Sequence, residues 1–376
     1  MNRLKGMIYD IILQLAKLGK RRRVKAKLLI VRVDEIGDFM LWHKFLPELL
    51  NAFPGYEYHF CGNQSWRSLF ETLHPGVINK SHWLDKLRFK KEMSYRLGFL
   101  RQIFRENYDT VINPAFSRDK RYDDSIVRAA KAAQRIGMSA NLEAIRSYEE
   151  DYDKNLYTRL FNHPEKPLFE FYRNRLFTEF VSGNTSAVAD TRIEQQLVPP
   201  LVLPLPEVFF VIFPGSRSSK RIWPAENFIR VANHLHQHYG WTAVVCGTKA
   251  DTVYTRAFIE GYKNPALDLT GQTSLPQMLS LFGRAECLIS VDTGSVHLAT
   301  SMGCAVFGVF NGSQYGRFSP YPKQMAPGFY AVYPDEIEKD LRDENSVRQR
   351  YEFVVDIPYA LVKPEKLILA LHQHFG

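Results

Sequence analysis

The fold is decided by the stretch Glu286-Cys-Leu-Ile-Ser-Val-Asp-Thr-Gly-Ser-Val-His-Leu-Ala-Thr-Ser-Met-Gly-Cys-Ala-Val-Phe-Gly-Val-Phe310. An apolar, β-prone run ends at Asp292, an apolar helical pattern follows, and a second apolar run begins after Gly303. This pattern predicts a strand, a loop, a helix and a second, parallel strand. In such a unit the loop lies at the carboxyl end of the first strand, and the amides that open the helix attract phosphate. The alternative is that Asp292 or Thr293 acts only as the helix N-cap.

Strand and helix patterns alternate in two series along the chain. The first series begins with an apolar strand at 28–33 and continues to a strand-like segment at 136–138. The second begins at 208–213 and ends with a helix at 364–374. A proline-rich segment, 198–206, separates the two series and reads as a stiff connection.

Two successive βα series predict an α/β protein built from two Rossmann-like domains that face each other across a cleft. We place the first domain at residues 28–200 and the second at 201–376, with the last helix packing back on the first domain. Within the first domain, helices are expected from Phe39 to about Asn51 and over 129–135.

Length and cysteine usage narrow the class of protein. The chain has 376 residues, of which 45% are hydrophobic, enough for two domains with proper cores. The four cysteines are far apart and form no Cys-x-x-Cys pair, so they indicate neither a zinc site nor a disulfide framework. A reducing cytoplasm fits this pattern. The cysteines are Cys61, Cys246, Cys287 and Cys304.

The formal net charge of +9 is concentrated at the N-terminus. Residues 1–27 hold nine Lys and Arg and one acidic residue, whereas the rest of the chain holds 40 basic and 39 acidic residues. The body is therefore close to neutral, and no nucleic-acid partner is expected. The basic run 20–27 follows a segment whose apolar residues recur at helical spacing. These apolar residues are Met7, Ile8, Ile11, Ile12, Leu15 and Leu18.

This segment is too short to span a bilayer and lacks the features of a signal peptide, since charge interrupts it and positive residues follow it. We interpret residues 1–27 as a basic amphipathic extension that lies on an anionic membrane surface. A solvated tail is the alternative. The preferred interpretation places the protein in the cytoplasm, peripheral on the inner face of the cell membrane.

Four blocks of the sequence resemble those of the family 9 glycosyltransferases, whose best-known members are ADP-heptose:lipopolysaccharide heptosyltransferases. They occur in the family's order between residues 28 and 310. The blocks are Leu29-Ile-Val-Arg-Val-Asp-Glu-Ile-Gly-Asp38, Pro214-Gly-Ser with Lys220-Arg-Ile-Trp-Pro224, Leu269-Thr-Gly-Gln-Thr-Ser274 and Val291-Asp-Thr-Gly-Ser-Val-His-Leu-Ala299. The resemblance implies a GT-B fold and an inverting, metal-independent transfer of heptose from ADP-heptose to a lipopolysaccharide core or related surface glycan, with no cofactor beyond this nucleotide-sugar donor.

The resemblance also implies roles for individual residues. Asp38 is the catalytic base beside Gly37, with Asp34 and Glu35 of the same loop as back-up candidates, and a helix-capping carboxylate as the alternative. Either Lys220 or Arg221 contacts the donor diphosphate. The other donor-binding candidates are Ser216, Asp251 at the ribose, Thr273 at the adenine, Asp292 at a sugar hydroxyl or orienting its loop, Thr293, Gly294 and Ser295, with His297 in a supporting position.

Three other functions were weighed. A nucleotide-dependent dehydrogenase is disfavoured because neither series carries Gly-x-Gly-x-x-Gly after its first strand. A non-catalytic, membrane-docked binding protein would be expected to lose Asp38 or the basic pair. A family member that uses another nucleotide sugar for a different surface glycan stays open. Asp151-Tyr-Asp153 matches the metal motif of some sugar transferases, but no apolar strand leads into it, and a solvated acidic turn explains it more simply.

Overall fold

The structure is a computed structural model that describes residues 2–18, 26–139, 155–162 and 167–376. The chain divides into two compact units. The first comprises Met1–Glu165 and Phe171–Val188, and the second comprises Lys166–Glu170 and Ala189–Gly376.

The first unit is built on a six-stranded parallel sheet in the order β3-β2-β1-β4-β5-β6. Its strands are β1 (Lys27–Arg32), β2 (Glu57–Asn63), β3 (Lys80–Leu84), β4 (Thr110–Asn113), β5 (Gln134–Met138) and β6 (Arg159–Phe161). Its helices are α1 (Asn2–Ala16), α2 (Ile36–Met40), α3 (Leu46–Asn51), α4 (Arg67–Leu73), α5 (Lys86–Lys91), α6 (Met93–Arg105), α7 (Asp123–Ala130) and α8 (Glu170–Ser182), whose first residue belongs to the second unit. Leu28 of β1 pairs with Tyr58 of β2 on one side and with Thr110 of β4 on the other.

The second unit repeats this plan in the order β12-β11-β10-β7-β8-β9, again with every pairing parallel. Its strands are β7 (Phe209–Phe213), β8 (Thr242–Val245), β9 (Ala266–Asp268), β10 (Cys287–Val291), β11 (Ala305–Val309) and β12 (Phe329–Val332). Its helices are α9 (Ala225–Tyr239), α10 (Thr252–Gly261), α11 (Leu275–Phe282), α12 (Gly294–Ser301), α13 (Asp335–Glu338), α14 (Glu344–Ser346) and α15 (Pro364–Phe375).

The central strands are buried on both faces, which is why they read as continuous apolar runs rather than as alternating ones. All residues from Leu28 to Val31 are fully buried in β1, and all of β10 is buried. Helices cover both faces of such a sheet, and each unit therefore has its own core.

The predicted fold class, α/β with two parallel Rossmann-like sheets, is confirmed. The placement of the two domains across a cleft stays a prediction. The last helix, α15, packs against α9 and strands β11 and β12 of the second unit. Its predicted packing on the first domain stays a prediction.

Two helices of the first unit differ from the sequence-based expectation. The helix expected over 129–135 ends instead at Ala130, because Lys131 adopts a left-handed conformation and β5 then begins at Gln134. The helix expected over 39–51 is broken into α2, a 3₁₀ turn and α3, and Pro47 lies in the first turn of α3. Proline is favoured at that position because it has no N–H to donate.

Helix α1 is not separate from the body of the protein. Ile12, Leu13 and Ala16 belong to the core of the first unit, where α1 packs against α6 and α7. The placement of Ile12 on the membrane-facing stripe is therefore wrong. The other five stripe residues are exposed, and the basic run 20–25 lies outside the described residues. No helix in the described part of the chain is long and apolar enough to cross a membrane.

Candidate functional site

The candidate donor site lies where the strand order of the second sheet reverses. Strand β7 has β8 on one side and β10 on the other, so the loops after β7 and β10 lie next to each other at the carboxyl edge. In open parallel sheets ligands bind in the crevice at this position. The two loops carry Ser216 and Asp292, which are far apart in sequence.

The β10 loop leads directly into α12. Thr293 is the N-cap of this helix, and its Oγ1 accepts a hydrogen bond from the Ser295 amide at 3.4 Å. The Ser295 hydroxyl oxygen lies 2.7 Å from the Thr293 Oγ1 and 2.9 Å from the Ser290 Oγ. Thr293 is therefore a helix cap, and its role at the diphosphate stays a prediction. The first turn, which begins at Gly294, places the positive end of the helix at the crevice.

Asp292 and Arg221 form an ion pair at the same place. The Arg221 Nη1 lies 3.0 Å from the Asp292 Oδ2 and donates to the Asp292 carbonyl at 3.3 Å. The Asp292 side chain is only 16% exposed. Burial raises the pKa of this carboxyl group, and the Arg221 charge opposes the rise. The pair gives the crevice a cation held in a defined position.

Lys220 is directed elsewhere. Its Nζ lies 2.9 Å from the Asp356 Oδ2, and the two side chains are 72% and 79% exposed. An ion pair this exposed contributes little to the stability of the fold, because water screens the two charges. Of the two candidates that the sequence left open, Arg221 is therefore the one that the structure places beside the β10 loop.

The C-terminal segment 351–361 passes this region and was not singled out from the sequence. The side-chain amide of Asn311, just after β11, donates to the carbonyls of Val355 (3.3 Å) and Ile357 (2.9 Å). These bonds hold the C-terminal segment beside the end of β11. Tyr359 in this segment is buried, and its hydroxyl has no hydrogen-bond partner among the described residues. Burial raises its pKa, and the Asp292 charge raises it further. Because the segment has no regular periodicity, no sequence signal marked it.

Asp251 lies against the β7 loop but its carboxylate is engaged. Its Oδ2 accepts hydrogen bonds from the Thr248 amide and hydroxyl, both at 2.7 Å, which closes a capping box. A methyl group at Gly215 would overlap the Asp251 carboxyl group, so this close approach requires glycine. The role of Asp251 at a ribose stays a prediction.

The remaining candidates of the second unit are placed as follows. The Ser216 Oγ accepts from the Ser218 amide at 3.4 Å. The Thr273 hydroxyl contacts the Met278 Sδ at 3.1 Å, while Ser274, not Thr273, caps α11. The role of Thr273 at the adenine stays a prediction.

His297 lies inside α12 rather than at the crevice surface. It is buried, and its Nδ1 lies 2.8 Å from the Tyr321 hydroxyl. Burial lowers its pKa to about 4, so the ring is neutral at pH 7. This contact gives His297 a packing role behind the first turn of the helix.

The first unit has an equivalent switch point between β1 and β4, and the loop after β1 carries Gly37 and Asp38. Arg32, at the end of β1, is fully buried and organises this edge. Its Nε lies 2.9 Å from the Asp34 Oδ2, its Nη2 donates to the Asp38 carbonyl at 3.1 Å, and its Nη1 donates to the Pro114 carbonyl at 3.0 Å. Arg32 was not singled out from the sequence, although a charged residue within a buried strand is a usable signal.

Several acidic groups meet around this loop. Burial raises the pKa of Asp34 well above its usual range. The Arg32 charge opposes this rise, and the Asp38 charge adds to it. Glu35 pairs with Lys86 at 2.8 Å. Asp34 and Glu35, the back-up candidates, are thus each held by a cation, while the role of Asp38 as the base stays a prediction.

Asp123, at the start of α7, belongs to the same acidic group. The Asp123 charge raises the pKa of Asp34. Burial raises the pKa of Asp123 itself to about 7, and the Asp124 charge contributes to that rise. Neither Asp123 nor Lys86 was marked by the sequence, because strands and helices that are distant in sequence bring them here. Within the described residues, no three side chains of His, Cys, Asp or Glu converge as metal ligands. The motif 151–153 lies outside those residues.

Two doubly wound parallel units in one chain are the architecture of the GT-B class of glycosyltransferases. The fold matches a crystal structure of the glycosyl transferase family 9 from Veillonella parvula, with a TM-score of 0.69 and 18% identity over 94% of this chain and 98% of that one. It also matches E. coli heptosyltransferase WaaC with ADP, with a TM-score of 0.65 and 19% identity over 86% and 98% of the two chains.

A curated relative and a family match extend this likeness to sequence. The lipopolysaccharide core heptosyltransferase OpsX of Haemophilus influenzae is 25% identical over 139 residues, which are 36% of this chain and 39% of that protein. The chain thus spans well under half of this relative. The model of glycosyltransferase family 9 (heptosyltransferase) matches residues 96–328, more than half of the chain. The chain belongs to glycosyltransferase family 9.

Proposed function

We propose that the protein is an inverting glycosyltransferase that moves heptose from ADP-heptose to a lipopolysaccharide core or related surface-glycan acceptor, without a divalent metal. The observation that carries the proposal is the meeting of Arg221, Asp292 and the first turn of α12 at the switch point of the second sheet. A cation and a helix N-terminus together suit a diphosphate. Family membership and the names of the relatives supply the sugar and the acceptor class.

The sugar transfer requires two kinds of protein group. The acceptor hydroxyl attacks the anomeric carbon of the donor sugar, the bond from that carbon to the β-phosphate oxygen breaks, and ADP leaves with the bonding electrons. One base must take the hydroxyl proton, and positive groups must stabilise the negative charge that grows on the diphosphate. Asp38 takes the proton, and Arg221 with the α12 amides receives the diphosphate.

The ion pair between Arg221 and Asp292 affects how the donor diphosphate can bind. In the absence of donor, Arg221 is neutralised by Asp292, so an incoming diphosphate must share this cation with the carboxylate. Asp292 also holds the Arg221 guanidinium in place before the donor arrives. Preorganisation of this kind lowers the barrier because no reorganisation is needed when charge develops.

The test is thermal unfolding in the presence of ADP, UDP, GDP and CMP at equal, saturating concentrations. A ligand that binds only the folded state stabilises it by about 2.7 kcal/mol at one hundred times its dissociation constant. ADP should therefore raise the melting temperature by several degrees, and the other nucleotides should raise it less. A larger shift with UDP, GDP or CMP would contradict the ADP-linked donor, and no shift with any nucleotide would contradict the site itself.

A further inference from the structure

The exposed face of α1 is the most apolar stretch of surface in the described chain. Four residues of α1 and Leu18, just beyond its end, are exposed, from 39% to 63%: Met7, Ile8, Ile11, Leu15 and Leu18. The described residues include ten other exposed large hydrophobic side chains, and they are spread over residues 87–369. At 100° per residue, the four stripe residues of α1 fall within about 100° of the helix circumference, and Leu18 follows them, its amide donating to the Leu15 carbonyl at 3.3 Å. They form one continuous stripe.

The stripe is a second apolar face of α1, separate from the face that packs in the core. The adjacent face of α1 is the one that packs on the body, through Ile12, Leu13 and Ala16. The Arg96 guanidinium lies 4.1 Å from the centre of the Tyr9 ring and 4.2 Å from that of Phe89, which ties α1 to the body beneath it. The helix is therefore held with its second apolar face directed away from the body.

Positive charge surrounds the C-terminal end of this helix. Lys17 lies close enough to Arg128 and Lys131 for their charges to lower its pKa, after burial, which is the larger cause. The Arg101 guanidinium reaches the Leu15 carbonyl at 3.5 Å. Residues 1–27 together carry nine basic residues and one acidic residue. A surface that is apolar in its centre and cationic at its end complements an anionic lipid bilayer.

We propose that the stripe of α1 docks the protein on an anionic lipid bilayer, with α1 parallel to the surface and its stripe in the headgroup layer. The packed face of α1 then fixes how the first unit is oriented toward the lipid. The assignment of this bilayer to the inner face of the cell membrane, where a lipid-linked acceptor is met, rests on the proposed function. Binding to a bilayer does not.

The test compares two matched variants of the full chain in vesicle sedimentation. Ile11→Gln/Leu15→Gln removes apolar surface from the stripe, whereas Val253→Gln/Leu369→Gln removes it from equally exposed sites in the second unit. Vesicles contain phosphatidylethanolamine with phosphatidylglycerol, or phosphatidylcholine alone. The wild type and the second variant should bind the anionic vesicles equally, and less at high salt. The stripe variant should bind them about one hundredfold more weakly, since each lost aliphatic side chain is worth roughly tenfold.

The melting temperature of both variants without any nucleotide establishes that the fold is intact, and this control does not depend on the proposed donor. A label on Ile11→Cys should shift its fluorescence to the blue on vesicles, and one on Asp10→Cys, about 60° beyond the edge of the stripe and 72% exposed, should not; the four native cysteines are buried. Equal vesicle binding by the two glutamine variants would overturn the proposal. So would a stripe variant that changes from dimer to monomer in light scattering, because a second copy would then be what covers the stripe.

Discussion

Arg221 and Lys220 are adjacent in sequence but should differ by about two orders of magnitude in their effect on catalysis. Lys220 pairs with Asp356 where both side chains are more than 70% exposed, so its replacement by Ala should lower the free energy of unfolding by about 0.2–1 kcal/mol and leave kcat/KM nearly unchanged. Arg221 is 32% exposed and lies at the β10 loop. Removing a hydrogen-bond donor that faces negative charge developing in the transition state lowers kcat by about 10²–10³-fold.

A loss of this size must be separated from a loss of folding. Arg221→Ala leaves the mostly buried Asp292 carboxylate without its cation, which should lower the free energy of unfolding by about 1–2 kcal/mol after allowance for partial exposure. Arg221→Ala/Asp292→Asn removes that unpaired charge and should recover the stability, but not the activity. Steady-state kinetics with the donor and urea unfolding of the three variants provide both quantities. A Lys220→Ala variant that is more damaged than Arg221→Ala, or a double variant that recovers kcat/KM, would contradict the placement of Arg221 at the diphosphate.

The base, the metal requirement and the buried histidines can each be tested separately. Asp38→Asn should lower turnover by about 10²–10⁴-fold while ADP binding by calorimetry stays near normal, since an amide cannot take the acceptor proton; near-normal turnover would move the base to Asp34. Turnover should persist in excess chelator, and a loss that magnesium or manganese restores would show that a metal is required. Burial lowers the pKa of His74, His82 and His297 to about 4, so between pH 6.5 and 4 only the unfolded chain binds protons at these residues, and each should lower the free energy of unfolding as the pH drops. The raised pKa values of Asp34, Asp123 and Asp292 act in the opposite direction. In urea titrations the wild type should therefore lose more stability over that range than His82→Gln, and equal losses would contradict the prediction.

The parts of the fold that were predictable from sequence are those decided by local pattern. The strand, loop and helix of 286–301 were placed within a residue or two, because a continuous apolar strand and a capping residue mark them. The helix expected over 129–135 failed because Lys131 takes a left-handed conformation that nothing local indicates for lysine. Strand β3 was missed because only His82 and Leu84 of its five residues are buried.

The site was predictable as a set of loops but not as a set of contacts. The motif positions identified the β7 and β10 loops, and the strand order brings them together. Lys220 and Arg221 are neighbours, and the way in which the 3₁₀ turn at 219–221 ends decides that Arg221 faces Asp292. The sequence does not determine how this turn ends. Arg32 could have been marked as a charged residue within a buried strand, whereas Tyr359 became visible only when the C-terminal segment was placed beside the β10 loop.

We propose that this chain transfers heptose from an ADP-linked donor. The most direct measurement is mass spectrometry, followed by NMR of the product, of a heptose-deficient lipopolysaccharide core acceptor after incubation with the purified protein and ADP-heptose. We expect that the acceptor gains one heptose, that ADP is released in equal amount, and that the NMR spectrum shows an inverted anomeric configuration. An unmodified acceptor in the presence of ADP-heptose, together with transfer from a UDP- or GDP-linked sugar, would contradict it.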